Sequence, residues 1–358
     1  MVARRDNFGV LRLAAATAVL VSHAFRLTGS IEPVAAVTGE TLGDVAVAVF
    51  FAVSGFLVAG SWCRDPRLRR FLLRRARRIW PGLAVAVVFA VYVVGPLFTR
   101  LAPADYLASG STRAYLVAKL TLVGGGGELP GLFHSNPYPE VNGSLWTLPV
   151  EVKAYLCLAA LALAGAFRRR WFLPLAWATA AGAAVLFRAY AGSMLSPGVV
   201  LRATGIVSPS SLTSRAVYLG AVFLGGALLY SRRDRIALRW PVAGVLLAAW
   251  LATRGSAVQW AVGAAAFPYA CLCFAYRTRP VLNAFVTRTD LSFGIYLYSY
   301  PVEQVIRALV GPTGGPALMI ALALPVSAGL AFASWHLVEQ PCLRGRAERR
   351  APALAAAG

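Results

Sequence analysis

The chain has 358 residues, of which 58% are hydrophobic and only 14% charged, and its mean hydropathy is +0.65. A water-soluble chain carries about 25% charged residues and lacks repeated apolar runs of about 20 residues, so the composition excludes a soluble globular protein and points to a polytopic membrane protein. The net charge of +21 comes from arginines clustered between apolar runs, a pattern of membrane orientation rather than of nucleic-acid binding.

Apolar runs predict ten spans, at roughly 7–27, 43–62, 80–99, 144–166, 171–190, 216–231, 240–253, 256–276, 290–310 and 316–338. The expected fold is an all-α polytopic membrane bundle without a separate soluble domain. Residues 1–345 would form the membrane domain and 346–358 a short cytoplasmic tail. Arginine clusters at Arg4/Arg5, Arg64 to Arg78, Arg168 to Arg170, Arg232 to Arg239, Arg277/Arg279/Arg288 and Arg344 to Arg350 all land on one side of this topology. Both termini are therefore expected in the cytoplasm, with the chain in the cell membrane. The five cysteines are odd in number and give no disulfide framework. No metal site is read either, because Cys271-Leu-Cys273 lacks the further ligands of a zinc site.

The first span carries Arg12 and His23, and these argue against reading it as a cleaved signal peptide. Eleven residues on a helix are three turns plus about 20°, so the two side chains share a face, about 16 Å apart along the axis. Ionisable groups at such depth mark a functional cavity. Span two holds Phe50-Phe51-x-x-Ser54-Gly55-Phe56, whose small Ser54-Gly55 pair permits close approach of a helix or a ligand. Next comes Arg64 to Pro81, with eight arginines in a cytoplasmic loop. One reading is an anchor to anionic lipid headgroups. The other is a phosphate site, since Arg75 and Arg78, at i and i+3, can direct two planar forks at one ligand.

A long outer loop, about 100–143, is broken by Gly124 to Gly127 and by Pro130, Pro137 and Pro139. Its apolar Leu116 to Val123 stretch is too short to span and is expected to lie in the interface or re-enter the protein. His134 in this loop reads as a solvated residue within reach of an acceptor. Span four opens with Trp146-Thr147-Leu148-Pro149-Val150-Glu151. Glu151 is costly in lipid unless it pairs with a base or serves substrate, and the topology puts it with His23 in the outer half of the membrane. Span nine reads Tyr296-Leu297-Tyr298-Ser299-Tyr300-Pro301, followed by Glu303 and Gln304. Its tyrosines need partners and are expected to line the cavity, and Pro301 should free a backbone carbonyl. His336, in span ten, reads as interfacial.

In this order, Arg12-x10-His23, Phe50-Phe51-x-x-Ser54-Gly55-Phe56, Arg75-x-x-Arg78-Ile79-x-Pro81, Trp146-Thr147-Leu148-x-x-Glu151, Ser292-Phe293-Gly294-Ile295-Tyr296-Leu297 and Glu339-x-Pro341 make the chain resemble the acyltransferase 3 family of integral-membrane O-acyltransferases. That family includes bacterial O-antigen and exopolysaccharide O-acetylases. The resemblance implies transfer of an acyl group, usually acetyl, from cytoplasmic acyl-CoA as co-substrate to a hydroxyl of an envelope glycan or similar acceptor, with no bound cofactor. It departs at Ser299, where many relatives place a histidine. Some relatives also append an esterase-like domain, for which this chain has no room.

On this reading His23 is the catalytic base, or the carrier of a covalent acyl group. Arg12 and Glu151 assist it, Arg75, Arg78 and Ser54 bind the CoA moiety, and Trp146, Tyr298 and Tyr300 bind the acceptor. The rival reading is a transporter or flippase with His23 and Glu151 as a proton relay. The lack of an internal inverted repeat argues against it.

Overall fold

The computed structural model describes residues 6–123, 128–192, 211–279, 286 and 289–344. The Gly124–Gly127 run, the tail from 346, Arg4, Arg5 and Arg288 lie outside them. Helices dominate: α1 Phe8–Thr28, α2 Pro33–Thr38, α3 Leu42–Arg64, α4 Leu68–Phe89, α5 Pro103–Ala108, α6 Gly110–Thr121, α7 Thr147–Leu163, α8 Phe172–Gly192, α9 Ser211–Ser231, α10 Trp240–Ala252, α11 Val258–Arg277, α12 Ser292–Val310 and α13 Pro316–Ser334. Among the described residues the only extended pairing is one isolated bridge, Thr99 to Leu132.

Each of the ten expected spans falls on a helix, but among the described residues only seven helices are long and apolar enough to cross a membrane. Two of the other three, α7 and α10, have 17 and 13 residues. The third, α12, has 19 residues but carries Glu303, Gln304 and Arg307. Large apolar side chains such as Leu163, Leu186, Val245 and Leu309 are mostly exposed, a surface suited to lipid and unfavourable in water. The protein is a multi-pass membrane protein.

One expectation needs correcting. Arg64 ends α3 and Arg67 lies in a short link, but the other six arginines of this segment stand on the first turns of α4 rather than in a loop, and α4 continues through a π-turn at Ala90–Val94 to Phe98 as one 31-residue helical run. At about 1.5 Å per residue it is about 46 Å long, roughly 16 Å more than the hydrocarbon core needs. The excess is about the length of Leu68 to Arg78, so the arginines occupy the part that projects. Pro96 has no N–H for the Val91 carbonyl in the π-turn, and the buried Tyr106 hydroxyl donates to that carbonyl at 3.0 Å. Further on, α6 turns back along α4, because Trp80 Nε1 donates to the Leu120 carbonyl at 3.0 Å. Leu120 therefore sits about 27 Å down the helical run from Phe98, and the Leu116–Val123 stretch is re-entrant.

The chain divides into two compact units interleaved in sequence, one of residues 1–12, 34–68 and 150–281, the other of 13–33, 69–149 and 282–358. In the first unit α9 packs on α3, α8 and α11. A Cβ at Gly55 would overlap the Phe223 carbonyl, and one at Gly226 the Ala52 carbonyl, so small residues set the α3–α9 approach. Thr41 and Asp44 close a capping box on α3. Beside it, buried Glu40 accepts from Arg188 and from Trp260 Nε1 (2.9 Å), while Arg215 binds Asp44. Two acids and two arginines thus neutralise one another inside apolar surroundings.

In the second unit α12 packs on α13, and a Cβ at Gly294 would lie 2.7 Å from Ala331. Pro301 has no N–H for the Leu297 carbonyl one turn earlier, as the sequence predicts. The Asn142 side chain takes that place, donating to Leu297 O at 2.8 Å. Other residues of the same connection bind α12 as well. Tyr296 donates to Ser144 O at 2.6 Å and bonds Thr147, and Gln304 donates to the carbonyls of Tyr138 and Glu140 at 2.7 and 2.6 Å and accepts from Asn136 at 2.8 Å. The 136–147 segment is therefore strapped along α12.

Candidate active site

His23 and Arg12 both project from α1, eleven residues apart on one uninterrupted helix, and Arg12 is half-buried. The His23 side chain is 15% exposed, and its Nδ1 lies 3.8 Å from Oε2 of fully buried Glu303. Closing that gap to hydrogen-bond length takes a movement under about 1 Å. Tyr300, one turn before Glu303 on α12, sets its ring edge against the imidazole with centroids 4.8 Å apart and planes at 83°. Among the described residues, His23 Nδ1, both Glu303 oxygens and the Tyr300 and Ser299 hydroxyls have no hydrogen-bond partner. Arg26, the next turn of α1 after His23, lies over the Tyr138 ring at 4.3 Å and 3.8 Å from Glu140 Oε1. It forms a polar rim on this unit.

Within the second unit, the carboxylate beside the imidazole is Glu303. Glu151 belongs to a cluster in the first unit, where it accepts from Tyr155 and, at 3.3 Å, from Ser54. Ser54 also lies 3.3 Å from the Tyr155 hydroxyl. This half-buried carboxylate is stabilised by two hydroxyls rather than by Lys153, which is exposed. Tyr296, Tyr298 and Tyr300 are all buried, and Tyr298 packs edge-on to Phe89 at 6.0 Å. Trp146 is half-buried at the approach to α7.

On α4, Arg75 is half-buried and Arg77 exposed. Arg78 Nη2 donates to Asp290 Oδ2 at 2.8 Å and its guanidinium lies 5.3 Å from the centre of the Phe293 ring. Asp290 also accepts from the Ser292 backbone and hydroxyl, at 3.2 and 2.6 Å, just ahead of α12. A single carboxylate thus joins the first residue of α12 to Arg78 and fixes the direction of that guanidinium.

Glu303, Asp290 and Asn142 are given no role by the sequence alone. Glu303 had a signal, an acid within an apolar helix three residues after Tyr300. Asp290 had a weaker one, an acid two residues ahead of the Ser292 that opens an apolar run. Asn142 had none, because its role depends on a carbonyl 155 positions away.

The profile of the acyltransferase 3 family, described as an acyltransferase domain, matches residues 5–336. A protein named O-acetyl transferase from Shigella phage Sf6 is 25% identical over 351 residues, covering 94% of this chain and 96% of its own length. Nodulation protein 10 of Rhizobium leguminosarum bv. viciae is 30% identical over 373 residues, covering 96% and 94% respectively. No solved structure matches the chain. On the near full-length profile match, the chain belongs to the acyltransferase 3 family.

Proposed function

We propose that the protein is a membrane O-acyltransferase that moves an acyl group, acetyl in the first instance, from cytoplasmic acyl-CoA to a hydroxyl of a cell-envelope glycan or similar acceptor. The observation that carries the reading is the buried His23–Glu303 pair at 3.8 Å in a chain of an acyltransferase family. The name of the phage Sf6 relative supports acetyl as the group transferred.

With Nδ1 directed at Glu303, the imidazole keeps Nε2 for substrate, and the carboxylate fixes that tautomer and stabilises the cation formed in the reaction. His23 Nε2 takes the acceptor's hydroxyl proton as that oxygen bonds to the thioester carbonyl carbon. Collapse of the intermediate breaks the C–S bond, and the departing sulfur takes the proton from His23. Arg75 and Arg78 hold the CoA phosphates on the projecting part of α4. Asp290 orients Arg78 for this without exhausting its five donors. The chain sits in the cell membrane with both termini and the arginine clusters in the cytoplasm.

The test is transfer from acetyl-CoA to envelope glycan by purified, monodisperse protein, read by mass spectrometry. His23→Gln should lose at least about 10²-fold in rate, and Glu303→Gln less, while both still bind acetyl-CoA. Near wild-type transfer by His23→Gln would make the histidine structural and end this reading.

A further inference from the structure

Folding leaves several polar atoms around His23 buried and, among the described residues, unpartnered. Each costs about 1–3 kcal/mol. The Tyr300 hydroxyl is the most informative of them, because a phenylalanine would fill the same space without that cost. The side chain is fully buried, and its ring meets the imidazole edge-on. Glu303 lies three residues further on α12, so the two side chains leave the helix on the same side. Gly143 admits the ring: a Cβ there would lie 2.7 Å from two ring carbons and 3.1 Å from the hydroxyl. By contrast, Tyr296 has its hydroxyl bonded to Ser144 O and Thr147.

The geometry points to Tyr300 as a catalytic residue whose O–H donates a hydrogen bond to the oxyanion of the tetrahedral intermediate. This rests on the acyl-transfer reading above. As the acceptor oxygen bonds to the thioester carbon and its proton passes to His23 Nε2, the carbonyl π pair moves onto oxygen. That oxygen accepts from Tyr300. When the pair returns, the C–S bond breaks and sulfur takes the proton from His23, so Tyr300 keeps its own proton throughout. A donor already dehydrated and held by packing needs no reorganisation when the charge develops, and one such donor is worth about 10² to 10³ in rate.

The test needs no acceptor. Purified full-length protein is titrated with acetyl-CoA and with its trifluoromethyl-ketone analogue, whose hydrated or alkoxide carbon mimics the intermediate. Wild type should bind the analogue more tightly. Tyr300→Phe should bind acetyl-CoA within about threefold of wild type and lose about 10²-fold for the analogue. Its thermal midpoint should equal or exceed that of wild type, since the deleted oxygen makes no bond. Undiminished preference for the analogue in Tyr300→Phe, or a lower thermal midpoint, overturns the assignment while leaving the His23 reading intact. A wild type that does not prefer the analogue overturns both. His23→Gln separates the two roles, because it should retain the Tyr300-dependent part of the preference.

Discussion

Asn142→Ala should destabilise the protein by about 2–4 kcal/mol, and most of that cost should disappear once Pro301 is also alanine. Asn142 is buried and makes two bonds, to Leu297 O at 2.8 Å and from the Ser144 N–H at 3.1 Å. Losing the first leaves a buried carbonyl unsatisfied, which costs about 1–3 kcal/mol, and losing the second costs about 1 kcal/mol. In Pro301→Ala protein residue 301 regains an N–H, so Leu297 O recovers its helical partner and only the smaller term remains. The coupling energy of the double-mutant cycle should therefore be about 1–3 kcal/mol. Unfolding in mixed detergent–dodecyl sulfate micelles, followed by tryptophan fluorescence, measures it. Equal costs of Asn142→Ala in both backgrounds would show that proline and asparagine are unrelated and refute the account of how the strap is held.

Arg75→Ala should lower acetyl-CoA affinity about tenfold in calorimetry, the scale of one charge-assisted phosphate bond, and Arg75→Lys should recover little because a point charge cannot reproduce the fork. Unchanged affinity would return the projecting part of α4 to lipid-headgroup anchoring. For topology, a membrane-impermeant thiol reagent applied outside intact cells should label His134→Cys and not Arg169→Cys in a variant without native cysteines. Both positions are exposed, and labelling at Arg169→Cys would invert the orientation.

What the sequence made legible follows from the range over which each signal acts. Apolar length is local, so all ten runs fold as helices. The spacing of Arg12 and His23 is a property of one helix, and the missing N–H of Pro301 a property of one residue. Pairings between helices are not local. A helix face shows that His23 looks inward but not that Glu303 of α12 meets it. The cluster of Glu40, Arg188 and Arg215 joins residues 148 and more positions apart, and no spacing rule reaches that far. The arginine-rich segment misled for a different reason. Its charge density reads as solvated loop, although arginine is a good helix former and the apolar run after it extends the same helix.

The strap along α12 also limits where relatives of this chain can be recombined. Exchange of the 136–147 segment alone with that of a relative would leave Leu297 O, Tyr296 and Gln304 facing side chains chosen for another helix. The portable module is the segment together with residues 292–304, two stretches distant in sequence that carry one continuous hydrogen-bond pattern. Chimeras cut between them should misassemble, and chimeras that move both should fold.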